Sequence, residues 1–155
     1  MFAFYKIEKD EYDRLNCPCL FEPDGERTYA KVEFDGEWIK FAYSSNCVSP
    51  EIMEIGDDEI IIGIDLDVCI YNRAKQSVVL HLKPDCFFCE FLRIRDKLLA
   101  FTELTVYLIN LKNHEIEMDF SYPDVYTTYE LIGNILKIRY IEGGEAAIDL
   151  NKYLG

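Results

Sequence analysis

Two close cysteine pairs carry the most metal-like spacing in this 155-residue chain: Cys17-Pro18-Cys19 and Cys86-Phe87-Phe88-Cys89, with Cys47 and Cys69 standing singly. Four thiolates drawn from two such pairs can hold zinc tetrahedrally, because a CxxC turn presents two sulfurs to one ion. CxC is an unusual half-site, however, and the Cys86 pair is flanked by Phe87, Phe88, Glu90 and Phe91 where a zinc knuckle would carry glycines. Free cysteine is also among the most commonly buried residues. The reading therefore takes no cofactor and no metal, with Cys17, Cys19, Cys86 and Cys89 as the weak candidate ligands. A redox role for the CxxC pair would need a helix N-terminus to lower a thiol pKa, and none is evident.

The two histidines, His81 and His114, occupy equivalent neighbourhoods on outer hairpin strands. Neither has a Cys–His or Ser–His context, so each reads as a polar position on a wet sheet face and no catalytic residue is assigned. Between Lys40 and Arg73 there is no Lys or Arg, while Glu51, Glu54, Asp57, Asp58, Glu59, Asp65 and Asp67 all fall inside. An EF-hand needs oxygens at alternating positions, Gly at the sixth and Glu at the twelfth, and Ile60 to Gly63 interrupts any such ladder. Like charges gathered on a sheet rim weaken a fold unless a partner neutralises them. These acids, with Tyr71, Tyr122 and Tyr126 as aromatic anchors, form the expected partner-binding set: interfaces use buried aromatics inside a charged rim. The competing reading of the tyrosines is ordinary strand propensity.

The elements that must position these residues are strands. Half the residues are apolar, which excludes disorder, and the length suffices for one domain with its own core. Residues 1–27 form an irregular N-terminal segment in which Phe2, Phe4 and Ile7 start an edge strand and Glu8 to Leu15 a short helix, before Pro18 and Pro23 break it. Residues 28–50 form a hairpin: Ala30, Val32 and Phe34 alternate with Lys31 and Glu33, and Asp35-Gly36 supplies the positive φ values of a type I′ turn. Ile60, Ile61 and Ile62 read as a strand covered on both faces.

The pattern from Glu51 to Leu82 then returns, with Leu98 to Phe101 matching Ile60 onward and Val106 to Leu111 matching Val68 onward. Asn72 and Asn110 hold the same place before each loop. A third copy has strands at Ile135 to Tyr140 and Ala146 to Leu150, joined by the turn Glu142-Gly143-Gly144-Glu145. The units fall at 51–90, 91–128 and 129–155, a spacing of about 38 residues, within the span of β-propeller blades. The repeat resembles a generic propeller blade, without the Trp-Asp and Gly-His signatures of WD40 repeats. The fold class is therefore all-β: a single domain, 1–155, built as an antiparallel meander. A sandwich or open barrel is favoured over a partial propeller, since fewer than four blades cannot close around an axis.

The formal net charge of -13 disfavours nucleic-acid backbones and anionic membranes as partners, because both recruit Lys and Arg. The N-terminus meets charge within a few residues and no apolar run approaches a membrane span, which points to the cytoplasm and to reduced thiols. In size, acidity and β-content the chain resembles bacterial immunity proteins, which neutralise toxins such as the nucleases of contact-dependent inhibition systems. The resemblance implies a non-enzymatic protein that covers a basic toxin domain. The runner-up is a propeller-like interaction scaffold, with a carbohydrate-binding domain using Tyr122, Tyr126 and Asp124 as a third reading. The oligomeric state is open.

Overall fold

The computed structural model describes residues 1–154, and these divide into two compact units, Met1–Pro84 and the residues from Asp85 onward. In the first unit, β1 (Phe2–Ile7), β2 (Thr28–Phe34) and β3 (Glu37–Tyr43) form one antiparallel sheet, with α1 (Lys9–Arg14) between β1 and β2. A second sheet follows in simple meander order: β4 (Glu51–Ile55), β5 (Glu59–Ile64), β6 (Asp67–Asn72) and β7 (Ser77–Leu82). The second unit repeats this plan. Its sheets are β8 (Phe88–Ile94), β9 (Lys97–Thr102), β10 (Thr105–Asn110) and β11 (Ile116–Ser121), then β12 (Tyr126–Ile132), β13 (Ile135–Tyr140) and β14 (Glu145–Asp149). Helix α2 (Asn151–Leu154) stands where a fourth strand would come.

The architecture is thus a series of separate antiparallel meanders of three or four strands, none closed into a barrel. The predicted repeat spacing is real, since β5, β9 and β13 begin at Glu59, Lys97 and Ile135. Two boundaries shift. Phe91 and Tyr129 lie inside β8 and β12, so these units begin at Phe88 and Tyr126, and Ile135 opens the middle strand of the last sheet rather than its first. The most apolar strands were easiest to see, and the half-exposed leading strand of each sheet is not strongly apolar. The N-terminal segment is less irregular than composition suggests, because β1 pairs with β2 along its whole length from Phe2↔Phe34 to Ile7↔Tyr29.

Turn chemistry holds the register. Asp35 (φ 49°) and Gly36 (φ 86°) make the left-handed pair that the Asp-Gly sequence predicts. In the last three sheets the third strand ends in a residue whose side-chain oxygen caps the next turn. Asn72 Oδ1 accepts from Lys75 N at 2.9 Å, Asn110 Oδ1 from Lys112 N at 2.8 Å and Asp149 Oδ1 from Asn151 N at 2.9 Å. Beside each cap, the next backbone N–H reaches back to the residue before the second strand or its turn: Arg73 to Asp58, Leu111 to Asp96 and Leu150 to Asn134. The sequence equivalence of Asn72 and Asn110 is therefore a shared hydrogen-bonding role.

Each unit has one core, formed where its two sheets face each other. In the first, Ala30, Val32, Phe34, Ile39, Phe41 and Tyr43 meet Ile60, Ile62, Ile64, Cys69 and Tyr71, with Leu20 and Phe21 sealing the edge. In the second, Leu99, Phe101, Val106 and Leu108 meet Tyr126, Leu136, Ile138 and Tyr140. Phe101 stacks on Tyr129 with ring centroids 5.1 Å apart. Ile60, Ile61 and Ile62 are all fully buried, as a strand covered on both faces requires.

The outward face of the first sheet is polar and aromatic. There Lys31 lies directly opposite Lys40 across β2 and β3, a like-charge pair that costs energy unless each ammonium has a partner. Helix α1 supplies both partners. Glu11 pairs with Lys31, and Lys40 Nζ donates to the carbonyls of Tyr12 and Leu15, each at 2.9 Å. Lys31 also lies 4.5 Å from the Trp38 ring centroid.

Truncating a fully buried contact between the sheets leaves a cavity, so Ile62→Ala should lower unfolding free energy by about 2–5 kcal/mol. Ile141→Ala, at a turn, should change it by less than about 0.5 kcal/mol. Urea unfolding of the two variants checks the contrast.

Candidate interaction surface

Most of the acids expected to repel one another have local partners. Asp65 sits in the β5–β6 turn at φ 51°, where its carboxylate accepts from the backbone N–H groups of Ser44 and Ser45, each at 2.9 Å, and from the Ser45 hydroxyl. Asp67 is buried in β6 and lies 2.7 Å from Nε2 of His81 on the neighbouring strand. Asp58 pairs with Arg73 at 3.2 Å, Glu59 accepts from Asn72 Nδ2 at 3.0 Å, and Glu54 lies 2.6 Å from the N-terminal ammonium of Met1. Asp57 is exposed at the β4–β5 turn, and Glu51 opens β4 half-buried. The sequence places these seven acids close together along the chain; the sheet distributes them over turns, a core strand and an edge, and gives Glu54, Asp58, Glu59, Asp65 and Asp67 local partners.

The three tyrosines expected as aromatic anchors for a partner are buried within the chain itself: Tyr71 at 3% exposure, Tyr122 at 5% and Tyr126 at 6%. Tyr71 packs in the first core, and the Tyr122 hydroxyl donates to the carbonyl of Thr102 at 2.9 Å. Tyr122 and Tyr126 sit with Tyr140 in the second core, Tyr122 stacking on Tyr140 at 5.7 Å. Burial pushes both hydroxyls well above the ordinary phenol range. Alternation alone did not show that these rings point inward, because Tyr122 and Tyr126 flank a loop where strand phase is lost. Their burial also removes the stacking platform that a sugar site would need.

Among the described residues no group of three or more His, Cys, Asp or Glu side chains comes together that could hold a metal ion. All six cysteines are free thiols. Cys19 Sγ lies 3.2 Å from the Tyr12 hydroxyl, which itself donates to Glu22 at 2.8 Å. Cys17 lines a shallow depression of about 240 Å³ with Trp38, Glu37 and Tyr71, and burial raises its thiol pKa. Cys89 donates to the Phe87 carbonyl at 3.7 Å. The histidines are not equivalent: His81 is within β7, while His114 precedes β11 in a turn, at φ 63°.

Sequence reasoning passed over a set of exposed apolar side chains in the second unit. Phe87 (51% exposed), Leu104 (36%), Val125 (36%) and Ile141 (63%) all lie at strand starts or turns. The signal that could have found them is an apolar residue beside an acid in a turn: Glu103-Leu104, Asp124-Val125 and Ile141-Glu142. In a half-buried strand such a residue would face the core, but a turn offers it no core to face.

Burial pushes the Cys69 thiol up to about 12. Burial and then the nearby Glu103 and Glu90 carboxylates push Cys89 to about 11. A thiol in the unfolded chain ionises near pH ~8.5, so these raised values contribute stability that is complete below that pH and lost as pH rises through the folded values. The urea midpoint should therefore fall between pH 9 and about 11, and Cys69→Ala should flatten that fall. On the acid side the Lys97 ammonium holds Glu117 below its usual range, stabilisation that is present at neutral pH and lost as pH drops.

No protein-family model and no curated protein matches the sequence. Solved structures do. The C-terminal WD40 domain of Sif2 is 12% identical, with a TM-score of 0.55 over 79% of this chain and 42% of that one. A chain of the mitotic checkpoint complex is 12% identical, with a TM-score of 0.52 over 96% and 51% of the two chains. The computationally designed Ika4 protein is 10% identical, with a TM-score of 0.53 over 88% and 92%. The chain thus spans about half the length of the natural chains it resembles. At these identities the likeness is one of fold: the meanders of this protein are blades of β-propeller type.

Proposed function

We propose that this protein is a non-enzymatic, cytoplasmic protein–protein interaction module built on propeller-type blades. The observation that carries the reading is the blade architecture: antiparallel meanders whose central strands are committed to the cores and whose turns stand at the surface. Within each unit the packed sheets hold such turns in place, which suits recognition of another protein. The net charge of -13 adds a long-range preference for basic partners and raises association rates at low salt.

A second reading, an immunity protein that blocks a basic nuclease-type toxin, draws on the same charge. The internal partners of Asp58, Asp65 and Asp67 leave the rim from Glu51 to Asp67 with less free charge for mimicking a polyanion than that reading asks of it.

Affinity capture from native lysate at low and at high salt separates the two. An interaction module should retain one or more protein partners with only partial loss at high salt. A toxin inhibitor should recover a single basic nuclease, released by salt and by Asp57→Lys with Asp58→Lys. Recovery of nothing but the protein itself at monomer mass would overturn both.

A further inference from the structure

Resting on the binding-module reading, we infer that one end of the second unit is a docking surface for a partner-protein segment that combines bulky apolar residues with Lys or Arg. The end is assembled from four stretches of chain: the start of β8, the β9–β10 turn, the β11–β12 loop and the β13–β14 turn. Backbone hydrogen bonds tie them in sequence. Glu103 N donates to the Phe87 carbonyl at 2.9 Å, Tyr126 N to the Glu103 carbonyl at 2.8 Å, and Ile141 N to the Val125 carbonyl at 2.9 Å. Asp124 adds a clamp, accepting from Val125 N at 2.7 Å and from Glu142 N at 3.3 Å.

On this tied framework stand Phe87, Leu104, Val125 and Ile141, all exposed and all on neighbouring segments. Scattered apolar side chains on a surface are ordinary; four gathered at one end of one unit, rimmed by charge, are the pattern of an interaction site. The rim is predominantly acidic. Residues 85–90, 103–105, 121–128 and 140–145 contain Asp85, Glu90, Glu103, Asp124, Glu142 and Glu145, and no Lys, Arg or His; Arg139, at the edge of the patch in β13, lies 3.8 Å from Glu145.

That charge selects the occupant. A second copy of this chain would bring the same acidic rim against itself, and an anionic lipid surface would be repelled. A segment with apolar anchors flanked by Lys or Arg would fill the patch and neutralise the rim together, and such anchors carry most of the affinity at interfaces of this kind. The framework under the patch is already ordered: Tyr122 and Tyr126 lock the loop from beneath as core residues, so docking would not have to fold it.

The test is selection of a displayed library of random twelve-residue peptides on the purified full chain. Synthetic peptides from the enriched pool are then measured by fluorescence anisotropy. The expected pool carries aromatic or aliphatic residues flanked by Lys and Arg. Its peptides should bind the Phe87→Asp, Ile141→Asp variant at least about tenfold more weakly, while Asp57→Lys with Asp58→Lys in the first unit leaves binding unchanged. Because both replaced apolar residues are exposed, the variant should melt like the parent. Should it not, Glu103→Lys with Glu142→Lys provides the same test through the rim. No enrichment, a pool without basic residues, or peptides indifferent to both patch variants would overturn the proposal. So would sedimentation of the parent as a dimer that Ile141→Asp dissociates, since the patch would then belong to a second copy. If lysate partners still bind the patch variant, the surface is wrong while the interaction-module reading stands.

Discussion

No blade of this protein can cover its own apolar face, and everything else follows from that. A meander of three or four strands buries its backbone polar groups in the ladder but leaves a flat sheet of Ile, Leu, Val and aromatic side chains open to water. Alone it would be marginal. Face-to-face pairing within each unit removes that surface at once: Val32, Phe41 and Tyr43 close on Ile60, Ile62 and Tyr71, as Leu99 and Phe101 close on Leu136 and Ile138. The strands in the middle of each sheet are therefore the most apolar, and the outer strands, such as β11 with Met118 and Phe120 against Glu117 and Asp119, keep one wet face.

Pairing of faces only works if the register is right, since a slip of one residue would turn each core side chain outward. The recurring caps provide that control. Asn72, Asn110 and Asp149 each close the turn after a third strand, and the adjacent backbone bond ties that turn to the entry of the second. The same two interactions recur at three of the four sheets although the side chains around them differ, which is how a repeat can persist structurally while its sequence drifts.

The charge is managed locally rather than by the fold as a whole. Asp65 is absorbed by a pair of backbone N–H groups, Asp67 by His81, and the opposed Lys31 and Lys40 by the helix that lies across them. Acidity that looks like a liability when read along the chain becomes a set of separate, satisfied contacts. At one end of the second unit, where acids outnumber cations, it surrounds exposed apolar side chains instead.

The sequence by itself determined the class, the repeat and much of the turn chemistry. Strand alternation, the triple isoleucine at 60–62, the Asp-Gly turn and the matching Asn72 and Asn110 are local signals, set by side-chain periodicity and backbone preference within a few residues. The leading strands β8 and β12 start earlier than the apolar pattern indicates because their half-exposed side chains dilute the periodic signal. The tertiary structure alone decided which side chains are available to a partner. Tyr71, Tyr122 and Tyr126 went inside and Phe87 and Ile141 stayed out, although both kinds are large and apolar, because burial depends on which sheet comes to lie opposite. That is a contact between residues far apart in the chain, and no window along the sequence contains it.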